Sequence, residues 1–503
     1  MIALPKKTII GVIGAGTMGA GIAQVAAQAG HPVLLYDAAD NAAEQGIMKT
    51  AEGLHKLVER GKFSSQDVES ILARLTPVAR LEDLSDAGLV IEAIVEDLAV
   101  KRDLFSQLEN ICGDDAILAS NTSSLSITAI GSGLARAENF VGMHFFNPAQ
   151  VMKLVEVISG SATDPAVAEL IYTTAQEWGK KPVHATSTPG FIVNRVARPF
   201  YAEALRALEE GGSDVATIDA TLRESGGFRM GPFELMDLIG NDVNLAVTKS
   251  VFKAFHFDPR FKPSLLQEDL VASGKLGRKS GSGFYDYAEG ATQATASASP
   301  AASAPDHVTL YGDLGIAEPL AELIENAGIT MERMQQEDTE GYLSLGFARL
   351  QLTDGALAAE HGENVILFDL SLDYAKSSRV ALAPADQCDP LAIEQAVGLF
   401  QALGKTVSVI DDIPGMVAMR TVCMLANEGA EAVNTQVCNE EAVDTAMRYG
   451  VNYPSGPLEW ADRIGLKRVE KTLDNMARIY GDPRYRCSPL IRRRVLSGST
   501  LRT

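Results

Sequence analysis

The 503-residue sequence lacks any run of about 18 apolar residues, the length that a helix needs to cross a bilayer, so a membrane-spanning helix is excluded. The sequence also has fewer positively than negatively charged residues. It contains 44 Lys and Arg but 65 Asp and Glu, which gives a formal net charge of −21. This negative field repels phosphates and works against non-specific binding to nucleic acid or to an anionic membrane surface. Any phosphate-bearing ligand must therefore be held by local groups.

Cysteine is scarce as well. The five cysteines form no CxxC pair and no metal-binding spacing, so we expect free thiols in a reducing compartment and no metal site. The amino terminus has no apolar segment followed by a cleavage site, and we expect a cytoplasmic protein. The sequence is 46% hydrophobic and 22% charged, which is typical of a globular protein, and its length predicts roughly three or more folding units.

Short β-branched segments alternate with helical segments through the first ~185 residues. Strands are predicted at 8–13, 33–37, 89–93, 117–121, 140–144 and 154–158. The alternation predicts a parallel sheet wrapped by helices, which is an α/β Rossmann-type doubly wound domain over 1–187. Long helical periodicity then predicts an all-α domain over 188–287. Residues 288–306 consist of small residues and proline and predict a flexible linker.

The rest of the chain partly repeats the first half at a constant offset of 225 residues (414 − 189 and 456 − 231). Such colinear identity predicts a diverged duplicate of the first half. We expect a degenerate Rossmann-like α/β segment over 307–411 and a second copy of the all-α domain over 412–503. The matching segments are Pro189-Gly190 with Pro414-Gly415, Gly231-Pro232 with Gly456-Pro457, Asp164-Pro165 with Asp389-Pro390, and Gly179-Lys180 with Gly404-Lys405.

A G-x-G-x-x-G motif follows the first predicted strand and opens an alanine-rich helix. Its first glycine permits a tight turn, the second admits a pyrophosphate, and the third lets helix and strand pack closely; an ordinary strand-to-helix turn is the alternative. Asp37 ends the next strand, where a carboxylate accepts ribose hydroxyls and repels a 2′-phosphate, so NAD is predicted rather than NADP. The loop residues expected to bind NAD are Gly14, Ala15, Gly16, Thr17, Met18 and Gly19.

Four polar residues are candidates for catalysis. His144 closes a predicted strand at the carboxyl edge, where doubly wound sheets bind ligands, although a lone histidine is often structural. Glu156 lies in an otherwise apolar strand, where it needs a cation or donors, unless that strand is an edge in water. Paired with His144, it would fix the histidine tautomer. Ser123 follows a strand end but could cap a helix, and Asn194 stands in an apolar helix start but could face solvent.

Six segments in this order together resemble the 3-hydroxyacyl-CoA dehydrogenases: residues 14–19, 90–96, 120–125, 144–148, 153–157 and 188–195. The resemblance covers residues 5–287 and implies NAD-dependent oxidation of the 3-hydroxyl of a (3S)-3-hydroxyacyl-CoA to the 3-oxoacyl-CoA. It implies that His144 is the base, Glu156 its partner, and Ser123 and Asn194 the ligands of the substrate oxygen. Further NAD contacts that it implies are Asp37, Glu96, Lys101, Ser123, Asn147 and Lys279.

The residues that hold the acyl-CoA are less clearly marked. In the family, coenzyme A meets a serine and a lysine after the second strand, but Gly53 stands roughly where the serine would, which leaves Lys56, Arg60 and Lys62 as candidate cations. The two-copy layout, with residues 196–201 and 227–231, resembles the 3-hydroxyadipyl-CoA dehydrogenases of bacterial phenylacetate catabolism. A terminal carboxylate needs a cation, and the candidates are Arg198 and Arg229, each of which could instead be a solvated surface arginine.

Other functions remain open at this point. The acyl group could be that of a 3-hydroxybutyryl-CoA or general fatty-acid 3-hydroxyacyl-CoA dehydrogenase. A dehydrogenase of free β-hydroxyacids would use a lysine-based site, and a non-catalytic NAD-binding protein of the same fold would need no catalytic set. The pairing of His144 with Glu156 argues against both.

The second copy loses the candidate residues. At the offset of 225, Asp369, Ala381 and Met419 stand where His144, Glu156 and Asn194 stand in the first copy, and the glycines at 312 and 315 lack the dinucleotide spacing. We therefore expect no second active site, and an internal pseudo-dimer of the two helical domains. A homo-oligomer formed through other surfaces is left open.

Overall fold

A computed structural model describes residues 3–335 and 340–502, so parts of the predicted domains at 1–2, 336–339 and 503 lie outside the described residues. The elements up to residue 196 are β1 (Ile10–Ile13), α1 (Thr17–Gln28), β2 (Val33–Tyr36), α2 (Ala42–Glu59), α3 (Ser65–Leu72), β3 (Leu75–Val78), β4 (Leu89–Glu92), α4 (Leu98–Ile111), β5 (Ile117–Ser120), α5 (Ile127–Gly131), β6 (Phe140–Phe145), β7 (Leu154–Ser159), α6 (Pro165–Glu177), β8 (Lys181–Thr186) and α7 (Val193–Val196).

The elements that follow, as far as residue 352, are α8 (Arg198–Glu209), α9 (Val215–Glu224), α10 (Pro232–Ile239), α11 (Asn241–Ala254), α12 (Leu265–Ala272), β9 (His307–Tyr311), α13 (Pro319–Asn326), β10 (Thr330–Met334), β11 (Tyr342–Ser344) and β12 (Arg349–Leu352). The remaining elements are α14 (Ala358–His361), β13 (Val365–Phe368), β14 (Arg379–Pro384), α15 (Pro390–Ala402), β15 (Thr406–Val409), α16 (Ala418–Asn434), α17 (Glu440–Gly450), α18 (Pro457–Ile464), α19 (Leu466–Tyr480) and α20 (Pro489–Ser497).

The described residues form two compact units. The first comprises the chain up to Arg195 together with Thr435–Val451, and the second comprises Val196–Asn434 with the chain from Asn452 onward. Helix α17 therefore belongs to the first unit, although its sequence lies in the second helical copy.

The first unit contains an eight-stranded sheet in the order β3-β2-β1-β4-β5-β6-β7-β8. It includes all six predicted strands and adds β3 and β8. The sheet is parallel as predicted except at one pair, because β6 and β7 pair antiparallel. Only Phe146 to Lys153 joins them, and a parallel crossover needs a dozen or more residues. Strand β8 then runs parallel to β7.

The core of this unit lies between the sheet and its helices. Apolar residues of the central strands and of α1 and α6 are almost fully shielded from solvent, so the sheet holds the carboxyl ends of its strands in fixed positions. Residues at those ends, including His144 and the loop after β5, are thereby placed on a rigid scaffold.

The second unit combines helices with a seven-stranded sheet in the order β10-β9-β11-β12-β13-β14-β15. Strands β12 to β15 pair parallel, antiparallel and parallel, which is the pattern of β5 to β8. Helix α15 and strand β14 match α6 and β7 in both bounds at the offset of 225. The predicted fold class is confirmed: a Rossmann-type domain, an all-α domain, a degenerate α/β segment and a second all-α copy.

Residues 288–306, the predicted linker, contain no helix or strand. Three of its residues are nevertheless bonded to other parts of the second unit, to which this segment belongs: Ser297 N–H donates to Thr217, Ser299 N–H to the carbonyl of Val407, and Ala302 N–H to the side chain of Gln401. Its flexibility stays a prediction. Across residues 3–335 and 340–502, no helix is long and apolar enough to cross a membrane, and no three His, Cys, Asp or Glu side chains are grouped to hold a metal ion.

Candidate active site

His144 and Glu156 lie directly opposite each other on the adjacent strands β6 and β7. Nδ1 of His144 is 2.7 Å from Oε2 of Glu156. His144 is 6% exposed and Glu156 is fully buried. Because a carboxylate can only accept a hydrogen bond, Nδ1 carries the proton and Nε2 keeps the lone pair of the ring. The pair thus presents a base at Nε2 that a carboxylate orients.

The second oxygen of Glu156 is bonded to the backbone that begins α7. Oε1 accepts the N–H groups of Ile192 at 2.9 Å and Val193 at 3.0 Å. The first N–H groups of a helix have no partner within the helix, so a carboxylate there satisfies them. Three donors in total meet this buried charge, and the alternative of Glu156 in water on an edge strand is wrong. One carboxylate holds both His144 and the backbone beside Asn194.

The loops that follow β5 and β6 are tied to each other and to α7. Oδ1 of Asn121 accepts the N–H of Phe145 at 2.8 Å, and Nδ2 of Asn194 donates to the carbonyl of Ser123 at 3.4 Å. Asn194 is half-buried, and the cap of α5 is Ser126. The structure therefore brings Ser123 and Asn194 together, and neither has the helix-capping or solvent-facing position that was the alternative.

The glycine motif forms the turn between β1 and α1. Gly14 has a φ of +95°, a left-handed value that favours glycine. A Cβ at Gly19 would lie 1.7 Å from the carbonyl oxygen of Gly14, whereas a Cβ at Gly16 would meet nothing within 4 Å. Open space therefore lies beside Gly16 at the N-terminus of α1, where backbone N–H groups and the helix dipole favour a pyrophosphate. The residues fit a dinucleotide.

A cavity of about 520 Å³ lies beside this turn, and Asp37 is among the residues that line it. The carboxylate of Asp37 accepts the N–H of Ala15 at 2.6 Å and the N–H of Ala39 at 2.9 Å. These two bonds fix the carboxylate in the cavity wall next to the glycine turn. Its remaining lone pairs can accept ribose hydroxyls.

A buried ion cluster supports the loop that carries Ser123. The ammonium of Lys101, which is 1% exposed, lies 2.5 Å from Glu92 and 3.3 Å from Glu96. Glu96 also accepts the hydroxyl of Thr122 at 2.6 Å and the N–H of Ser123 at 3.1 Å. Burial opposes the ionisation of Glu96, but the bond from Thr122 and the charge of Lys101 outweigh it and lower its pKa. Glu96 is therefore a carboxylate that anchors this loop.

Comparisons with known proteins agree with this geometry. The family model described as 3-hydroxyacyl-CoA dehydrogenase, NAD binding domain, matches residues 9–188, and the model of the family's C-terminal domain matches 190–287 and again 415–502. The model described as 3-hydroxybutyryl-CoA dehydrogenase reduced Rossmann-fold domain matches 350–414. A curated relative, the 3-hydroxyadipyl-CoA dehydrogenase of Escherichia coli (strain K12), is 45% identical over 97% of this chain and 97% of its own length.

The chain belongs to the 3-hydroxyacyl-CoA dehydrogenase family. It is an NAD-dependent 3-hydroxyacyl-CoA dehydrogenase, and the family implies an acyl-CoA substrate. The probable 3-hydroxybutyryl-CoA dehydrogenase of Deinococcus radiodurans is 42% identical over 55% of this chain and 99% of its own length, so it matches little more than half of this chain. The crystal structure of 3-hydroxybutyryl-CoA dehydrogenase from Escherichia coli K12 covers 98% of this chain and 100% of its own, with a TM-score of 0.89 and 43% identity.

In this dehydrogenase a second cavity, of about 320 Å³, lies between the glycine turn and α2. Gly53 and Lys49 line it. The predicted cations Lys56, Arg60 and Lys62 are exposed and do not line it. Lys49 was missed by the sequence reasoning, although it lies four residues before Gly53 and so on the same helix face.

Two candidate arginines lie in the second unit and differ in burial. Arg198 is 6% exposed, donates to Thr248 at 3.1 Å and stacks over the ring of Tyr201 at 4.9 Å. No carboxylate within the described residues lies within ion-pair distance of its guanidinium, and burial lowers its pKa. The alternative of a surface arginine is wrong for Arg198, which lines a cavity of about 1030 Å³. Arg229 is exposed, which agrees with the alternative of a solvated surface arginine.

The remaining predicted contacts have less definite surroundings. Asn147 is exposed in the loop after β6, and Lys279, in the second unit, pairs with Asp242 at 2.6 Å. Sequence reasoning missed Asn121 and Glu92. Both lie inside segments that carried the family resemblance, and Glu92, like Glu156, is a carboxylate in an apolar strand.

Proposed function

We propose that this 3-hydroxyacyl-CoA dehydrogenase prefers an acyl chain that ends in a carboxylate, with 3-hydroxyadipyl-CoA as the substrate. The support is the relative of that name, whose identity extends through both copies of this chain. Two relatives named for 3-hydroxybutyryl-CoA match 55% of this chain, although one solved structure of that name covers 98% of it.

The His144–Glu156 pair is the observation that carries the proposed catalytic step. Nε2 of His144 takes the proton of the 3-hydroxyl while C3 gives up a hydride, and bound NAD supplies the hydride acceptor. The imidazolium that forms lies 2.7 Å from Glu156, whose charge stabilises it. In the reverse direction the same nitrogen returns the proton to the 3-oxo oxygen.

Ser123 and Asn194 bind the substrate oxygen in this proposal. Support comes from their hydrogen-bonded contact and from the anchoring of both segments, Ser123 through Glu96 and Asn194 through the backbone beside Glu156. Two donors in fixed positions can polarise a 3-oxo group or hold a 3-hydroxyl toward Nε2.

When NAD binds, the glycine turn beside Gly16 would hold its pyrophosphate and the carboxylate of Asp37 would accept the hydroxyls of its adenine ribose. Glu96, Lys101, Asn147 and Lys279 remain proposed contacts on the strength of the family resemblance. For coenzyme A, we add Lys49 to Lys56, Arg60 and Lys62 as a candidate cation, because it lines a cavity next to the glycine turn.

Arg198 is the proposed cation for the terminal carboxylate, ahead of Arg229. A buried guanidinium without a carboxylate partner is costly, and an anionic ligand would compensate it. Loss of NADH absorbance with acetoacetyl-CoA tests the reaction class, and turnover across acyl lengths, with and without a terminal carboxylate, tests the substrate. Arg198→Met should lower the preference for 3-hydroxyadipyl-CoA over 3-hydroxybutyryl-CoA, while Arg229→Met leaves it unchanged. If Arg198→Met keeps the wild-type preference, Arg198 does not bind the terminal carboxylate.

The second helical domain is the internal partner of the first in this proposal. Phe228 and Tyr453 are equivalent at the offset of 225, and their ring centroids are 5.0 Å apart. The short helices Pro259–Phe261 and Pro483–Tyr485 have the same Asp-Pro-Arg start, offset by 224, and also contact each other. Contact between equivalent positions is what a twofold axis requires. These contacts support the proposal that the two helical domains are related as the subunits of an isologous dimer are.

A further inference from the structure

Helix α17 is the part of the C-terminal copy that packs in the first unit, against β7 and β8. The segment that leads into it is also bonded there. The N–H of Thr186, at the end of β8, donates to the carbonyl of Val437 at 2.9 Å, and Arg195 donates to Thr435 at 3.3 Å. The strand that carries Glu156 is therefore covered by a helix from the other copy.

The last residue of α17, Gly450, fits closely against this strand. A Cβ at Gly450 would lie 2.6 Å from Leu154, 3.1 Å from Val193 and 3.7 Å from Phe146. All three neighbours are buried or half-buried, so the space for a side chain is small.

Each of these neighbours touches or adjoins a proposed catalytic group. The ring of Phe146 lies 4.5 Å, between centroids, from the ring of His144. Leu154 begins the strand that bears Glu156, and Val193 donates its N–H to Glu156 and precedes Asn194. A displacement at Gly450 would therefore reach both His144 and Asn194.

We propose that α17 positions His144 and Asn194 through Gly450, so that the C-terminal copy completes the active site of the first. The inference rests on the proposed roles of His144 and Asn194. Gly450 is a positioning residue: it touches neither substrate nor cofactor, and it acts through Phe146, Leu154 and Val193.

The second copy provides a matched position without the chemistry. Helix α9, the counterpart of α17 at the offset of 225, packs against β14, the counterpart of β7. Ser225 stands where Gly450 stands, and its hydroxyl donates to the carbonyl of Arg379, the counterpart of Leu154, at 2.8 Å. A side chain is accommodated there, and the neighbouring Asp369 and Ala381 replace His144 and Glu156.

The test uses the full chain and compares Gly450→Val with Ser225→Val. We expect Gly450→Val to lower kcat by about tenfold or more, since small displacements of reacting groups cost up to about 10²-fold. It should also move the limb of the pH profile of kcat/KM that reports the base, with NADH affinity within about twofold of normal. Ser225→Val should keep kcat and the pH profile, even if it lowers the unfolding temperature.

The double variant Leu154→Ala with Gly450→Val makes room for the added methyl groups and should recover most of the lost kcat. If Gly450→Val does not fold, Gly450→Ala with and without Leu154→Ala carries the same comparison. Unchanged kcat and pH profile in the Gly450 variant, or an equal loss in Ser225→Val, would overturn the inference. His144→Gln separates the two proposals: if it is inactive while Gly450→Val is fully active, only the role of α17 fails, and if it is active the proposed base fails.

Discussion

In both copies a buried carboxylate binds the start of a helix, at the strand pair β6–β7 in the first copy and at its counterpart β13–β14 in the second. Only the first copy also has a histidine there that can act as a base. In the first copy, Glu156 accepts the N–H groups of Ile192 and Val193 and also holds His144. In the second copy, Asp369 accepts the equivalent N–H groups, those of Val417 and Ala418, at 3.0 and 2.7 Å. The helix start needs a buried carboxylate in both, and this need is separate from catalysis.

A second pair of equivalent residues has not diverged. The ammonium of Lys180 donates to the carbonyls of Ala149 and Met152, and that of Lys405 donates to the carbonyls at the equivalent positions 374 and 377. The Gly-Lys repeat is therefore structural in both copies. Comparison of the copies separates residues that hold the fold, which persist, from residues that carry the chemistry, which are present in the first copy alone.

The largest effect is expected when the proposed catalytic base of the first copy is replaced. His144→Gln should lower turnover by at least ~10²-fold, the usual contribution of a general base, with NADH affinity close to normal because the glycine turn is untouched. The matched control is Asp369→Asn at the equivalent position, which should keep turnover. Near-normal turnover in His144→Gln would remove this residue from the mechanism.

The next effect is expected when the second copy, the proposed packing partner of the first, is removed. Removal of residues 290–503 deletes α17, so the remaining chain should be inactive as a monomer and regain activity only at concentrations where it dimerises. Relatives of this length exist, since several match 55% of this chain and nearly all of their own. Activity is followed against concentration beside size-exclusion chromatography. A stable, fully active monomer would contradict the account.

The truncated chain also tests directly the difference between the equivalent positions Ser225 and Gly450. In its dimer, α9 of the partner would take the place of α17 and bring Ser225 against Leu154, where the full chain has Gly450. Ser225→Gly should then raise the activity of the truncated dimer. No gain would show that the fit at this position does not limit turnover.

A moderate effect is expected at the cofactor. Asp37→Ser should raise the KM for NADH about tenfold, because hydrogen bonds to a charged acceptor contribute about 1.5 kcal/mol or more. It should also narrow the preference for NADH over NADPH, since the repulsion of a 2′-phosphate is lost. Asp40→Ser, three residues away and exposed, is the control and should change neither. Equal kinetics of the two variants would argue against ribose binding at Asp37.

The last effect is on the stability of the second copy and leaves turnover unchanged. Burial, only partly offset by backbone N–H donors, raises the pKa of Asp369 from 3.8 to about 6. Between these values the folded chain binds more protons at this site than the unfolded chain, so the free energy of unfolding falls as pH rises through the window, by about 3 kcal/mol in all. Denaturant unfolding at several pH values should show that the free energy of unfolding falls less with rising pH in Asp369→Asn than in the wild type. Parallel curves for the two proteins would contradict this.

Sequence predicted the order of folds and the glycine turn, because strand–helix alternation and glycine spacing are local patterns. A carboxylate in an apolar strand indicated that Glu156 needs a partner, and the family resemblance implied that this partner is His144. It missed β3, which contains Pro77, and β8, in which Lys181, His184 and Thr186 are polar, because neither is a continuous apolar run. It also missed the fit at Gly450, which joins residues about 300 positions apart in the chain and leaves no local pattern.

The central claim is that a chain of two copies holds one dehydrogenase site, in the first copy. The most direct measurement is the stoichiometry of NADH binding to the full-length protein by isothermal titration calorimetry, with Asp37→Ser beside the wild type. The account predicts one NADH per chain, with the affinity of that single site reduced in Asp37→Ser. Two NADH per chain, or a site that Asp37→Ser leaves unaffected, would contradict it.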